Sequence, residues 1–248
     1  MIRLIRVLLL SIHFFISSFI GLLIGIVRPF HPTNSRWCAA IYSSLAMPIL
    51  GIKREVEGWD ILDQSRPCIV VANHQSNWDL FIVGGAVPDR TVSLGKKSLK
   101  LLPIFGQLYW LAGNVLIDRG NPHKAKEAME ITKQALTQKN TSIWIFPEGT
   151  RNQGKNLLPF KKGAFITAIN AGVPIVPVCC SSYLDHFSLG QLNNGVAKIK
   201  VLPAVSTQGL KQKDAAQLMH TIEADMLRTI QALDGKAAPS ADSVDNQA

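Results

Sequence analysis

Apolar positions are spread very unevenly along the 248 residues. Residues 7–27, VLLLSIHFFISSFIGLLIGIV, are apolar around the whole helical wheel, broken only by serines, glycines and His13. A bilayer core of about 30 Å takes about 20 helical residues, so this run is long enough to span. It is too long for the core of a signal peptide, and no small-residue cleavage pattern follows it. His13 stays neutral at small cost near an interface. The stretch Arg28-Pro29-Phe30-His31-Pro32 ends the helix, because proline removes a backbone donor and restricts the residue before it. A second apolar stretch, 37–52, stops at Lys53-Arg54 and is short for a full span. A spanning helix with an interfacial one, a hairpin dipping into one leaflet, and a buried soluble pair all fit these lengths. Apolar character on every face favours the first two. Residues 1–52 are therefore expected to form a membrane-anchoring helical segment.

The pattern changes after residue 55. Short runs at 68–72, 91–94, 114–117, 142–146, 174–178 and 197–202 read as strands, most of them continuously apolar as in a sheet covered on both faces. Helical periodicity falls between them, at 78–85, 104–111, 122–138 and 163–170. Pro122 suits a first helical position with Asn121 as its cap. A charged periodic helix is expected over 210–233. Alternating strands and helices predict an α/β fold, a mostly parallel sheet flanked by helices, over residues 53–234. Residues 235–248 are small and polar and read as a disordered tail.

Charge narrows the partners. Lys and Arg number 26 against 17 Asp and Glu, a formal charge of +9. That surplus suits anionic membrane, anionic small molecules or nucleic acid. No groove-reading helix or aromatic RNA motif accompanies it, so nucleic acid is set aside. Cys38, Cys68, Cys179 and Cys180 have neither metal-ligand nor framework spacing and read as buried apolar residues in a reducing compartment.

The candidate chemistry lies where apolar runs end. In CIVVANHQSNWDLFIV, 68–83, His74 falls in the loop after a strand and Asp79 in the first turn of the next helix, with Asn77 as the expected cap. On one continuous helix positions five apart diverge, but across a junction Asp79 can reach an imidazole nitrogen, fix the tautomer and support the imidazolium. Taken alone the pair is a weak signal, since solvated loop residues give the same spacing. In WIFPEGTR, 144–151, Glu148 and Arg151 stand at a strand's carboxyl end, where open α/β sheets place ligands, and Gly149 permits a positive φ or close backbone approach. GNVLIDRGN, 113–121, ends another strand with Asp118-Arg119, and VPIVPV, 173–178, reads as a core strand. An ordinary surface turn with an ion pair would also explain either loop. Two arginines at strand ends, with Lys96, Lys97, Lys161 and Lys162 in neighbouring loops, make a site for a phosphate.

In order and spacing, N-H-x-x-x-x-D at 73–79, GNVLIDR at 113–119, FPEGTR at 146–151 and VPIVPV at 173–178 resemble the four motifs of the glycerolipid acyltransferase family. The sequence between the first two, GKKSLKLLPIFGQLYWLAGN at 95–114, is similar to bacterial members, and the resemblance covers at least 70–178. It implies transfer of a fatty acyl group from acyl-CoA or acyl carrier protein to the sn-2 hydroxyl of 1-acyl-sn-glycerol-3-phosphate (lysophosphatidic acid), giving phosphatidic acid, with no cofactor and no metal. It also implies His74 as base on the acceptor hydroxyl and Asp79 as its support. Arg119, Glu148, Gly149 and Arg151, joined by Lys97, are expected to bind the acceptor phosphate. The expected location is the bacterial cytoplasmic membrane, in contact with membrane lipid, with the active site on the cytoplasmic side. A different acceptor, such as glycerol-3-phosphate or another lysophospholipid, would use the same motifs. A metal hydrolase would need further ligands beside His74 and Asp79. A non-catalytic lipid-binding membrane protein would not need His74.

Overall fold

The computed structural model describes residues 1–118 and 122–236. Arg119, the Asn121 cap and the tail from 237 onward lie outside the described residues.

Two helices open the chain, α1 (Ile2–Val27) and α2 (Asn34–Leu50), packed on each other. The α/β part follows as β1 (Lys53–Glu57), α3 (Trp59–Gln64), β2 (Ile69–Ala72), α4 (Asp79–Ile82), β3 (Thr91–Lys96), α5 (Phe105–Leu111), β4 (Val115–Ile117), α6 (Pro122–Lys139), β5 (Ser142–Ile145), α7 (Gly163–Ala171), β6 (Ile175–Cys180), β7 (Val196–Val201) and α8 (Ala215–Leu233). The seven strands form one sheet in the order β1-β7-β6-β2-β5-β3-β4. Every neighbouring pair is parallel except β6–β7. The predicted mostly parallel sheet is thus present. Its central strands, IVVA, SIWI and IVPVCC, are buried at every position, as strands covered on both faces must be.

Charge hides β1 from a sequence reading. KREVE is an edge strand with exposed side chains, so it needs no apolar face. Helix α8 starts at Ala215, five residues after the expected start at 210, because Asp214 accepts the Lys211 N–H and closes a separate turn first.

The apolar N-terminus is inverted relative to a helix of a soluble core. On α1 the buried face carries Arg6, Leu10, His13, Ser17, Ser18, Gly21 and Gly25. The exposed face carries Leu4, Leu8, Phe15, Phe19, Leu23 and Ile26. Inward polar groups are satisfied by protein: the Arg6 guanidinium donates to the carbonyls of Leu189, Gln191 and Leu192. His13 is buried against α2, its Nε2 2.9 Å from the Tyr42 carbonyl. A Cβ at Gly25 would stand 2.8 Å from Leu111 Cβ, so glycine lets α1 lie directly on α5. Of the described helices, α1 alone is long and apolar enough to cross a membrane, and only 28% of its most apolar stretch is buried.

Residues 1–52 share a core with the sheet. Leu10, Cys38, Tyr42, Ala46 and Leu50 belong to one cluster with Val70, Ala72, Phe81, Val178 and Ile199. The Arg54 guanidinium donates to Ser43 Oγ at 2.8 Å and the Ile82 carbonyl at 3.1 Å, joining β1 to α2 and α4. All four cysteines are free and buried.

Candidate active site

Parallel pairing sets the carboxyl ends of β2, β5, β3 and β4 side by side along one edge. At about 4.8 Å per strand, that edge runs about 14 Å from the end of β2 to the end of β4. His74 follows β2, Glu148 follows β5, Lys97 follows β3 and Asp118 follows β4. The four strand ends that carry the predicted residues therefore share one rim of the sheet.

At the end of β2, Asn73 holds the loop in place. Its side-chain Nδ2 donates to the Cys180 carbonyl at 2.9 Å and its Oδ1 accepts the Cys180 N–H at 2.8 Å. The amide thus extends the β2–β6 ladder by one side chain. His74 comes next. Its Nδ1 lies 2.6 Å from Asp79 Oδ2, and its side chain is 18% exposed against 3% for Asp79. Asp79 Oδ2 also accepts the N–H groups of Gln75 at 2.7 Å and Ser76 at 3.1 Å. A carboxylate that accepts backbone donors leaves Nδ1 to carry its hydrogen toward Asp79. Nε2 is then the nitrogen that carries the lone pair. Asn77 does not cap α4; Ser76 Oγ accepts the Trp78 N–H instead, at 2.9 Å.

Glu148 touches the histidine loop. Its Oε1 accepts the His74 N–H at 2.6 Å and its Oε2 the Leu158 N–H at 3.0 Å. Glu148 is buried, which pushes its pKa above the ordinary carboxylate value, while the two backbone donors and the nearby imidazole pull it down. Both oxygens are committed to backbone, and a buried carboxylate repels an anion. Glu148 thus ties the two motif loops together. The tie is reinforced where the His74 carbonyl accepts the Asn152 N–H at 2.8 Å.

Gly149 sits at φ 74°, and a Cβ there would stand 2.8 Å from Lys161 Cε. Glycine takes this φ without the strain that a side chain would meet there. Arg151 is exposed on the same turn. Lys97 Nζ lies 3.2 Å from Asp118 Oδ2. A cavity of about 290 Å³ between the ends of β3 and β4 is lined by Lys96, Lys97, Lys100, Leu101, Ile117 and Asp118. A second, of about 830 Å³, lies between α2 and β1 and is not lined by His74.

Two neighbours of the pair escaped the sequence reading. The Phe146 ring stacks on the imidazole, centroids 4.0 Å apart and planes 14° apart. Its place at the head of FPEGTR was the available signal. The Tyr183 hydroxyl lies 2.6 Å from Asp79 Oδ1 and 104 residues away in the chain, and no local pattern announces it.

The acyltransferase family model matches residues 53–181, from β1 to just past β6. The chain belongs to the acyltransferase family. This acyltransferase is 37% identical to the 1-acyl-sn-glycerol-3-phosphate acyltransferase of Haemophilus influenzae over 242 residues, 96% of this chain and 99% of that one. It is 36% identical to the Escherichia coli enzyme of the same name, covering 96% and 97%. The crystal structure of a 1-acyl-sn-glycerophosphate acyltransferase from Thermotoga maritima superposes with a TM-score of 0.72 at 24% identity, covering 95% of this acyltransferase and 99% of that chain. The family model begins after α2, whereas the bacterial relatives align over nearly the whole chain.

Proposed function

We propose that this acyltransferase moves a fatty acyl group from a thioester, acyl-CoA or acyl carrier protein, to the sn-2 hydroxyl of 1-acyl-sn-glycerol-3-phosphate, with His74 as general base. The observation that carries the reading is the 2.6 Å His74 Nδ1–Asp79 Oδ2 contact, which pairs a partly exposed imidazole with a buried carboxylate. The names of the bacterial relatives support the acceptor.

In this reading the acceptor hydroxyl gives its proton to His74 Nε2 as its oxygen attacks the thioester carbonyl. Asp79 supports the imidazolium that forms. The tetrahedral intermediate collapses, the C–S bond breaks, and the imidazolium returns the proton to the departing thiolate. A thioester is already activated, so no covalent acyl-enzyme is needed. Base assistance is typically worth 10²–10⁴-fold, with positioning supplying much of the rest. Arg151, Lys97 and Arg119 hold the acceptor phosphate; Glu148 and Gly149 shape the loop that presents Arg151.

Arg151→Ala is expected to raise the KM for lysophosphatidic acid roughly 10-fold or more, the worth of a charge-assisted hydrogen bond, with a smaller change in kcat. The defect should shrink with a neutral lysolipid. Equal losses on charged and neutral acceptors would reject the phosphate role. The acceptor itself is tested by turnover on lysophosphatidic acid, glycerol-3-phosphate and neutral lysolipids, each with both thioester donors. Preference for any acceptor but the first would overturn the assignment.

The exposed face of α1 is proposed to lie in lipid on the cytoplasmic side of a bacterial inner membrane, with residues 1–52 as the anchor. Washing membranes with about 1 M salt, where the Debye length is about 3 Å, is expected to leave the protein bound, because apolar burial is not screened. Complete release by salt alone would show a merely electrostatic attachment.

A further inference from the structure

We propose that Tyr183 is a positioning residue for proton transfer: its hydroxyl clamps the far oxygen of the Asp79 carboxylate, so that the near oxygen is fixed beneath the His74 imidazole. The proposal rests on the reading of His74 as the base.

Tyr183 lies in a short 3-10 turn, Tyr183–Asp185, just after β6. It is fully buried. Its Oη stands 2.6 Å from Asp79 Oδ1 and 2.7 Å from Ser76 Oγ. Direction follows from the inventory of protons. An ionised carboxylate only accepts, so Tyr183 donates to Asp79. Its oxygen then accepts from Ser76, whose own oxygen takes the Trp78 N–H at 2.9 Å and leaves its proton free to give. The result is a one-way relay from Ser76 through Tyr183 to Asp79. With Gln75 N–H, Ser76 N–H and His74 Nδ1–H on the other oxygen, the carboxylate accepts at both ends and cannot turn about its Cβ–Cγ bond. Burial and the charge of Asp79 both push the pKa of Tyr183 far up, so the phenol remains a donor throughout the working pH range.

The clamp has two effects on the reaction. It keeps Oδ2 aligned with the imidazole, and it draws negative charge toward Oδ1, away from the imidazolium. Other titratable groups around the pair come from three elements. Glu148, after β5, accepts the His74 N–H. Cys180, on β6, is kept as a thiol by burial and by the charges of Asp79 and Asp234. Asp234, at the end of α8, accepts the Ser182 N–H at 2.7 Å beside Lys236. None of them reaches Asp79 Oδ1 with a proton, so removing the phenol leaves that oxygen without its donor.

The experiment is steady-state kinetics of purified Tyr183→Phe across pH, with lysophosphatidic acid and acyl-CoA. The phenyl ring keeps the packing against Phe187 and removes only the hydroxyl. The expected result is a kcat about 10-fold lower, with KM within about twofold, and the acid limb of kcat/KM moved roughly half a unit to higher pH. The limb moves up because Asp79, relieved of one donor, supports the imidazolium more strongly. Lower activity with an unmoved profile and a lower Tm would reduce Tyr183 to a packing role and overturn the proposal, as would wild-type kcat and profile. Ser76→Ala, which removes the donor to Tyr183, is expected to shift the limb the same way by a smaller amount, and decides the matter if Tyr183→Phe does not fold. His74→Ala run in parallel separates the two ideas. Full activity there defeats the base reading itself, whereas an inactive His74→Ala beside an unmoved Tyr183→Phe profile defeats only the clamp.

Discussion

His74→Ala is expected to lower turnover by at least about 10²-fold, the lower end of general-base assistance, while the protein stays folded and membrane-bound. Folding survives because the main chain of His74, not its ring, joins the loops: its N–H goes to Glu148 and its carbonyl takes the Asn152 N–H. Alanine keeps both. The ring's loss removes the stack on Phe146 and one donor to Asp79, whose Oδ2 still accepts from Gln75 and Ser76. The stability penalty should therefore be at most about 1.5–3 kcal/mol, the range for one hydrogen bond to a charged group. Turnover by purified protein, paired with a thermal melt, checks this. Near wild-type turnover in a folded His74→Ala protein would remove the base from the mechanism.

The second large effect concerns the first 52 residues. Their deletion is expected to yield insoluble protein, not a soluble catalytic domain. The reason is shared burial. Tyr42, Ala46 and Leu50 pack in one cluster with Val70, Phe81 and Ile199, so deletion uncovers one face of the sheet. Each large apolar side chain left without cover forfeits about 1.5–3 kcal/mol, and a few of these approach the 5–15 kcal/mol that holds a typical protein folded. Ser43 would vanish too, leaving the Arg54 guanidinium one acceptor short. Fractionation of a 53–248 fragment tests this. A soluble, cooperatively melting monomer would show that the helices are dispensable to the core.

The local signals were strong where the physics is local. Continuous apolar runs are forced on strands covered from both sides, so β2, β5 and β6 were legible within a few residues, and β7 through its alternation of buried and exposed positions. The junction holding His74 and Asp79 was legible because a strand and a helix must change periodicity there. Motif spacing carried the family, which the matched residues 53–181 bear out. Edge strand β1 was not legible, since a strand exposed along its side chains has no apolar signature.

What only the tertiary structure decided is who meets whom. Chain order places GNVLIDR before FPEGTR, yet the sheet puts β5 beside β2 and sends β4 to the far edge, because pairing order is set by crossovers and not by sequence. That arrangement set Glu148 against the main chain of His74. It also exposed the apolar face of α1 and buried its polar one, which composition averages together. Finally it brought Tyr183 to Asp79 across 104 residues, a contact that no periodicity encodes, because it depends on where β6 ends relative to β2.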